Sequence, residues 1–211
     1  VISLVGGLAG SLTLGVKASY AAARAEEEAE RVKQLLTKSN FQLAQLASQR
    51  GKWQLALRNL DLALAGQHPD PVAVRLARVE AFNAVSDVQS ATKEIDSLAA
   101  REDLGTHAGE VLLWQGDLAS MRGDPQRAID LVQAATAAKL SESDQAYAEA
   151  LLADSTPDAI GHLRRTLELN PFHHRASLYL TFLLLLSGEL EECRRHLEVS
   201  QALFPADINF V

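Results

Sequence analysis

Hydrophobic and polar positions divide the chain into three parts with different patterns. The first sixteen residues, VISLVGGLAGSLTLGV, carry no charge, and Lys17 with the small-residue run ASYAAA follows them. We expect residues 1–23 to form the end of a single transmembrane helix, with Lys17 reaching toward the interface. Two alternatives stay open: a signal-peptide core before a cleavage site, and a buried or disordered terminus rich in glycine and alanine.

The second part, residues 24–36, is charged and contains neither glycine nor proline. Acidic residues lead and basic residues follow, an order that suits the helix dipole and ion pairs four residues apart. The pattern predicts a helical stalk that continues from the hydrophobic segment toward the folded body. A long coiled coil would need more heptads than this segment supplies.

Five stretches in the third part share one spacing, in which a turn residue precedes a small residue by five positions. The five pairs are Gly51 and Ala56, Ser86 and Ala91, Gly123 and Ala128, Asp154 and Ala159, and Gly188 and Cys193. Successive small residues therefore lie 35, 37, 31 and 34 positions apart. A repeat of about this length, with two helices around a tight turn, is typical of a helical solenoid. The small residue in the second helix allows close approach of the first.

The markers resemble those of the tetratricopeptide repeat (TPR) family over roughly Thr37 to Asp207. The third unit, LLWQGDLASMRGDPQRAIDLVQAA, and the fifth, LYLTFLLLLSGELEECRRHLEVSQALFP, match best, and the second departs with Ser86 in place of glycine. The resemblance implies an all-α, right-handed solenoid of about five helical hairpins after a long N-terminal helix. The implied units are residues 37–70, 71–105, 107–140, 141–171 and 172–207.

The resemblance also implies a protein or peptide partner, held on a concave surface that the first helices of the units line. The candidate peptide-binding residues on this face are Phe41, Gln45, Gln49, Leu76, Glu80, Leu113, Asp117, Asp144, Leu178 and Phe182. Family members that bind chaperone tails clamp a terminal carboxylate with basic and Asn residues. Phe41, Gln45 and Glu110 stand in those places here, so a terminal carboxylate is not the expected ligand.

Charge and candidate chemistry narrow the function further. The net charge is −7 and no basic face stands out, which argues against a nucleic-acid partner. The lone Cys193 excludes an internal disulfide and a multi-thiolate metal site. We expect His173 and His174 to occupy a solvated turn or a helix end rather than a metal site. The chain has no catalytic constellation, so we expect neither a cofactor nor enzymatic activity in it.

The segment Leu178–Gly188, LYLTFLLLLSG, is the most apolar stretch within the repeats. Its apolar residues cover every helix face, so some must be exposed unless another element packs on them. Three interpretations stay open: burial against a further repeat or capping helix, a groove for a partner helix, and a self-association face.

The order of features resembles the C-terminal part of certain bacterial serine/threonine kinases, which have one membrane span, a juxtamembrane helix and then degenerate repeats. The resemblance implies a membrane-anchored scaffold that serves as the regulatory or sensor arm of such a kinase, with the catalytic domain upstream of Val1. None of the kinase motifs is in this chain. The alternative is a stand-alone membrane-anchored or exported TPR adaptor in envelope assembly or secretion.

Overall fold

The computed structural model describes residues 2–210 and the side chains of residues 19–210. Over these residues the chain is helical without a strand, so the all-α prediction is confirmed. The α-helices are α1 Ile2–Ser48, α2 Trp53–Ala65, α3 Pro71–Ala84, α4 Val88–Ala99, α5 Ala108–Met121, α6 Pro125–Ala137, α7 Glu142–Leu152, α8 Thr156–Leu169, α9 His174–Leu186 and α10 Leu190–Leu203. Two short 3₁₀ helices span Gly105–His107 and Ile208–Phe210.

Consecutive helices pack as hairpins, α1 with α2 through α9 with α10, which we number units one to five. Side-chain caps start many of these helices. Asp70 and Asp124 each accept a hydrogen bond from the backbone N–H three residues on, and each precedes a proline at the first helical position. The turn between the two helices of a unit uses the left-handed conformation at Gly51, Gly123 and Gly188.

The small residues that mark each repeat are buried, as the spacing predicts. The five small residues and the residues seven positions later are at most 8% exposed; they are Ala56, Ala63, Ala91, Leu98, Ala128, Ala135, Ala159, Thr166, Cys193 and Ser200. Each second helix therefore presents two contact points, two turns apart, to its neighbours. This packing is the solenoid core.

The described residues after α10 pack against units one and two. Phe204 and Phe210 are buried in one cluster with Trp53 and Leu60 of α2. The backbone N–H of Ala206 donates to the carbonyl of Arg50 (3.2 Å), and the Asn209 side chain donates to the carbonyl of Ala84 (3.0 Å). The array thus bends until its end meets its beginning, and the first helices of all five units surround one cavity.

The N-terminal part of α1 projects away from this ring. Side chains from Ser19 to Leu36 are all exposed, and the first buried side chain of α1 is that of Thr37. The predicted membrane segment, residues 1–23, lies mostly outside the part whose side chains are described. Among the described residues, no helix combines the length and apolar character that a membrane crossing requires.

Candidate binding site in the central cavity

The first helices of the five units contribute side chains to one cavity of about 460 Å³, which we call the central cavity. Aromatic rings, amides and carboxylates line it together with one guanidinium. The polar and aromatic lining residues are Phe41, Gln45, Ser48, Gln49, Trp53, Glu80, Glu110, Trp114, Asp144, Asn170, Phe172, His173 and Arg175.

Arg175 is the cation of this site, and its charge is already matched. Its guanidinium forms an ion pair with Asp117 and lies 3.9 Å from Asp144. It also stacks over the rings of Trp114 (3.8 Å) and Tyr147 (4.8 Å). Burial alone would lower the pKa of Arg175, but the negative charge of its partners outweighs burial and raises it. The side chain is therefore a fixed part of the wall.

Asp144 is held ionised in the same wall. Burial opposes its charge, but the His173 side chain and the Arg175 charge outweigh burial and lower the pKa of Asp144 to about 2. His173 Nε2 lies 3.4 Å from the Asp144 carboxylate. The carboxylate is therefore a permanent negative charge at the cavity.

The pKa of Glu110 is shifted in the opposite direction to that of Asp144. Its enclosed position removes water from the carboxyl, and the nearby Asp144 charge repels the ionised form, so the pKa rises to about 7. Glu80 adds to this repulsion, whereas Arg175 and His107 reduce it. The side chain is still 38% accessible, so a ligand in the cavity can reach it. The central cavity thus carries more negative charge than it can neutralise.

The predicted concave residues separate into three environments. Phe41, Gln45, Gln49, Leu76, Glu80 and Asp144 line the central cavity. Asp117, Leu178 and Phe182 line a second cavity of about 720 Å³ on the other side of Arg175, which we call the side groove. Leu113 is fully buried in the core cluster of units three to five, so it is not available to a ligand.

Arg175, Trp114 and Glu110 line the central cavity but are not among the predicted concave residues. One regularity points to Glu110 and Arg175: in units two, three and five, Ala73, Glu110 and Arg175 each lie 18 residues before the buried small residue of their unit, and all three line the central cavity. The predicted concave residues instead lie 15 or 11 positions before that small residue, except Gln49, which lies seven positions before it. Successive units rotate relative to one another, so no single register stays on one face of the array.

The adjacent histidines are buried, so the expectation of a solvated turn is wrong. His173 has a helix-end role, because its Nδ1 accepts a hydrogen bond from the backbone N–H of Ala176 (3.2 Å) at the start of α9. His174 is 1% exposed, and its Nε2 lies 2.6 Å from the Asp207 carboxylate. Both rings serve the contact between unit five and its neighbours.

The apolar segment of α9 is split between core and surface. Leu180, Leu183 and Leu184 are buried, whereas Phe182 (53% exposed) and Leu186 (67% exposed) face outward. The prediction that some of these side chains must be exposed is confirmed. What covers them stays open among the three interpretations given above.

No family model and no curated relative matches the chain. Among solved structures, PilF of Pseudomonas aeruginosa has 18% identity and a TM-score of 0.48, covering 79% of this chain and 76% of that one. MamA of Desulfovibrio magneticus RS-1 has 16% identity and a TM-score of 0.44, covering 79% and 94%. YrrB, described as a TPR protein with an unusual peptide-binding site, has 15% identity and a TM-score of 0.41, covering 81% and 88%. At these values the repeat architecture rests on the helix pairs themselves, not on the similarity.

Proposed function

We propose that the chain is a protein-interaction scaffold that holds an extended peptide segment in the central cavity, and that this segment presents a Lys or Arg side chain. One observation carries the proposal. Glu80, Glu110 and Asp144 line the cavity, while the charge of Arg175 is already matched by Asp117. An incoming cation would relieve the repulsion that raises the pKa of Glu110.

The rest of the lining suits a peptide. Gln45, Gln49 and Asn170 offer amide groups, which can pair with the backbone N–H and C=O groups of an extended chain. Phe41 and Phe172 add aromatic surface next to the carboxylates. Aromatic faces favour the stems and charged heads of Arg and Lys. An acidic segment or a terminal carboxylate would instead meet like charge.

Panning a random-peptide display library against the immobilised full chain tests the proposal. We expect the selected peptides to be enriched in Lys or Arg and depleted in Asp and Glu. The double variant Glu80→Gln/Glu110→Gln should lose most of this enrichment because it removes two of the three carboxylates that line the cavity. The control Glu27→Gln/Glu102→Gln removes the same charge from exposed positions and should keep it.

Intrinsic fluorescence provides the affinity. The sequence contains two tryptophans, and both line the central cavity, so a bound peptide should change the emission. Titration with one selected peptide should give saturable binding that weakens about tenfold or more in the Glu80→Gln/Glu110→Gln variant. Selection of acidic peptides, or equal binding by both variants, would contradict the proposal.

The cellular context is part of the same proposal and rests on the order of features in the sequence. In it, the scaffold is membrane-tethered through residues 1–23 and forms the regulatory or sensor part of a larger protein such as a bacterial serine/threonine kinase. The alternative is a stand-alone anchored or exported adaptor. Mass-spectrometric peptide mapping of the native protein separates them, since kinase catalytic-loop peptides upstream of Val1 support the first and a start just before Val1 supports the second.

A further inference from the structure

One face of α1 is left without a partner along the described part of the helix. Between Thr37 and Ser48 the helix packs on the body through Thr37, Ala44 and Ala47, which are at most 4% exposed. A second stripe of residues lies about 100° around the helix from this packed face. Every member of that stripe is exposed from residue 22 to residue 46.

The stripe has the spacing of a coiled-coil seam. Its positions alternate strictly by three and four residues; they are Ala22, Ala25, Ala29, Val32, Leu36, Ser39, Leu43 and Leu46. All of them except Ser39 are apolar. Val32 is 63% exposed and Leu36 61%, and Leu43 and Leu46 remain 49% and 46% exposed beside the body. Large apolar side chains at this spacing are costly to leave in water.

Residues 24–36 alone are too few for a long coiled coil. The helix, however, continues without a break to Ser48, and the same stripe stays exposed beside the repeats. The seam from Ala22 to Leu46 therefore extends over more than three heptads, about the minimum that marks a coiled coil.

We propose that this face pairs with the same face of a second copy of the chain, as a parallel two-stranded coiled coil. A stripe on one helix can pack against the same stripe of a second copy that is related by a two-fold axis. The second copy would then cover the whole stripe. In a parallel, in-register pair each seam residue would pack against the same residue of the other copy. Alanines would face alanines at the N-terminal end of the seam, and leucines would face leucines next to the repeats.

Charge complementarity supports both the partner and the orientation. With Ala22 and Ala29 at position a, Glu28 occupies position g and Lys33 the following position e. In a parallel dimer these are the flanking positions that face each other, so Glu28 of each chain would meet Lys33 of the other. Lys33 donates to Gln67 (3.1 Å) and lies 3.9 Å from Glu30 within its own chain. Its ammonium group has three donors, so it can also donate a hydrogen bond to the Glu28 carboxylate of the other chain.

Disulfide trapping in the full chain tests the arrangement. Cysteines are placed singly at seam positions, Val32→Cys and Leu43→Cys, and at Gln34→Cys, an exposed position off the seam. The native Cys193 is buried and is kept in every variant. The two seam positions lie about 16 Å apart along the helix. A parallel in-register pair brings each of them next to its own copy, whereas an antiparallel pair can do so for only one.

We expect both seam variants to form disulfide-linked dimers at least about tenfold more than Gln34→Cys at the same concentration. Adding Leu36→Lys to Val32→Cys should abolish the crosslink, and circular dichroism should show an unchanged fold because the Leu36 side chain is 61% exposed in the single chain. Lys33→Glu should weaken crosslinking, and the swap Glu28→Lys/Lys33→Glu should restore it. Equal crosslinking at all three positions, or a crosslink at only one seam position, would overturn the proposal. Neither result bears on the peptide cavity.

Discussion

The indole N–H of Trp53 donates a hydrogen bond of 2.7 Å to the carboxylate of Asp207, a residue 154 positions further along the chain. The same carboxylate oxygen lies 2.6 Å from Nε2 of His174, and the Trp53 and His174 rings contact each other edge to face at 4.8 Å. One buried carboxylate therefore joins unit one, unit five and the C-terminal segment. It holds the ring of helices closed around the central cavity.

We expect Asp207→Asn to lower the free energy of unfolding by about 2 kcal/mol, because hydrogen bonds to a buried charge are among the stronger ones. Urea denaturation followed by circular dichroism measures this loss. Asp154→Asn, at an exposed aspartate, is the control and should leave stability unchanged. Equal stability of the two variants would show that the ring closure does not depend on this carboxylate.

The same contact predicts a dependence on acid. Burial would raise the pKa of Asp207, but the hydrogen bonds from His174 and the backbone of Asn209 outweigh burial and lower it. A folded-state pKa below the unfolded value of 3.8 means that the contribution is present above that value and is lost as pH falls through the folded pKa. The stability difference between wild type and Asp207→Asn should therefore be constant near neutral pH and shrink below about pH 4.

The turn glycines give a second test of the closure. Gly51 and Gly123 both have left-handed backbone, with φ of +69° and +78°. A Cβ at Gly51 would lie 2.6 Å from the backbone nitrogen of Asp207, whereas a Cβ at Gly123 would meet open space. Gly123→Ala should therefore cost only the backbone strain, about 1 kcal/mol. Gly51→Ala should cost about 3 kcal/mol, because it also displaces the C-terminal segment. Equal losses in thermal or urea unfolding would mean that the segment is not seated there.

Features that depend on contacts between neighbouring helices can be predicted from the sequence, whereas features that depend on contacts between distant parts of the chain cannot. The repeat markers report contacts between neighbouring helices, so Ala91 and Ala128 could be identified as buried from their spacing alone. Ser86 was the weak marker because it is not glycine, yet it adopts the same left-handed conformation, with φ of +61°. Local turn geometry is thus shared by the units even where the residue type departs.

The ring closure and the cavity could not be predicted in this way. Each depends on the small rotation between successive units, which accumulates over five hairpins and has no local signal. Asp117 and Glu80 occupy the same register of their units, but Glu80 faces the central cavity and Asp117 the side groove. For the same reason, nothing near Trp53 in the sequence indicates that its partner is Asp207.

Arg175 and Asp117 form the buried ion pair that separates the two cavities, with side chains 9% and 12% exposed. We expect Arg175→Met to destabilise the fold by about 3 kcal/mol, because it leaves the Asp117 carboxylate without its cation in a region of low water content. The double variant Arg175→Met/Asp117→Asn should be less destabilised than the sum of the single variants. A double-mutant cycle by urea denaturation measures this coupling.

The exposed pair Arg194 and Glu198 serves as the control, since both side chains are at least 60% accessible. Screening by solvent should leave little or no coupling there. Additive losses in the Arg175 cycle, of the kind expected for the surface pair, would show that the wall of the central cavity does not depend on the ion pair.

We expect the contribution of Glu110 to folding stability to depend on pH in the opposite direction to that of Asp207. Its pKa is about 7 in the folded chain against 4.5 in the unfolded chain, so the unfolded state releases its proton first as pH rises. The ionised carboxylate in the cavity then disfavours folding, and stability should fall between about pH 4.5 and pH 7 and level off above. Because the side chain is 38% accessible, solvent reduces the effect, which we expect to be about 1 kcal/mol.

Glu110→Gln removes the titrating group while keeping its size, so the variant should equal wild type near pH 5 and exceed it in stability at pH 8. Urea denaturation at the two pH values measures the difference, with Glu102→Gln as a matched change at an exposed site. Direct NMR titration of the carboxyl group gives the pKa itself. A difference that does not change with pH would show that the cavity leaves Glu110 as well hydrated as a surface residue, and would remove the reason to expect a cationic ligand beside it.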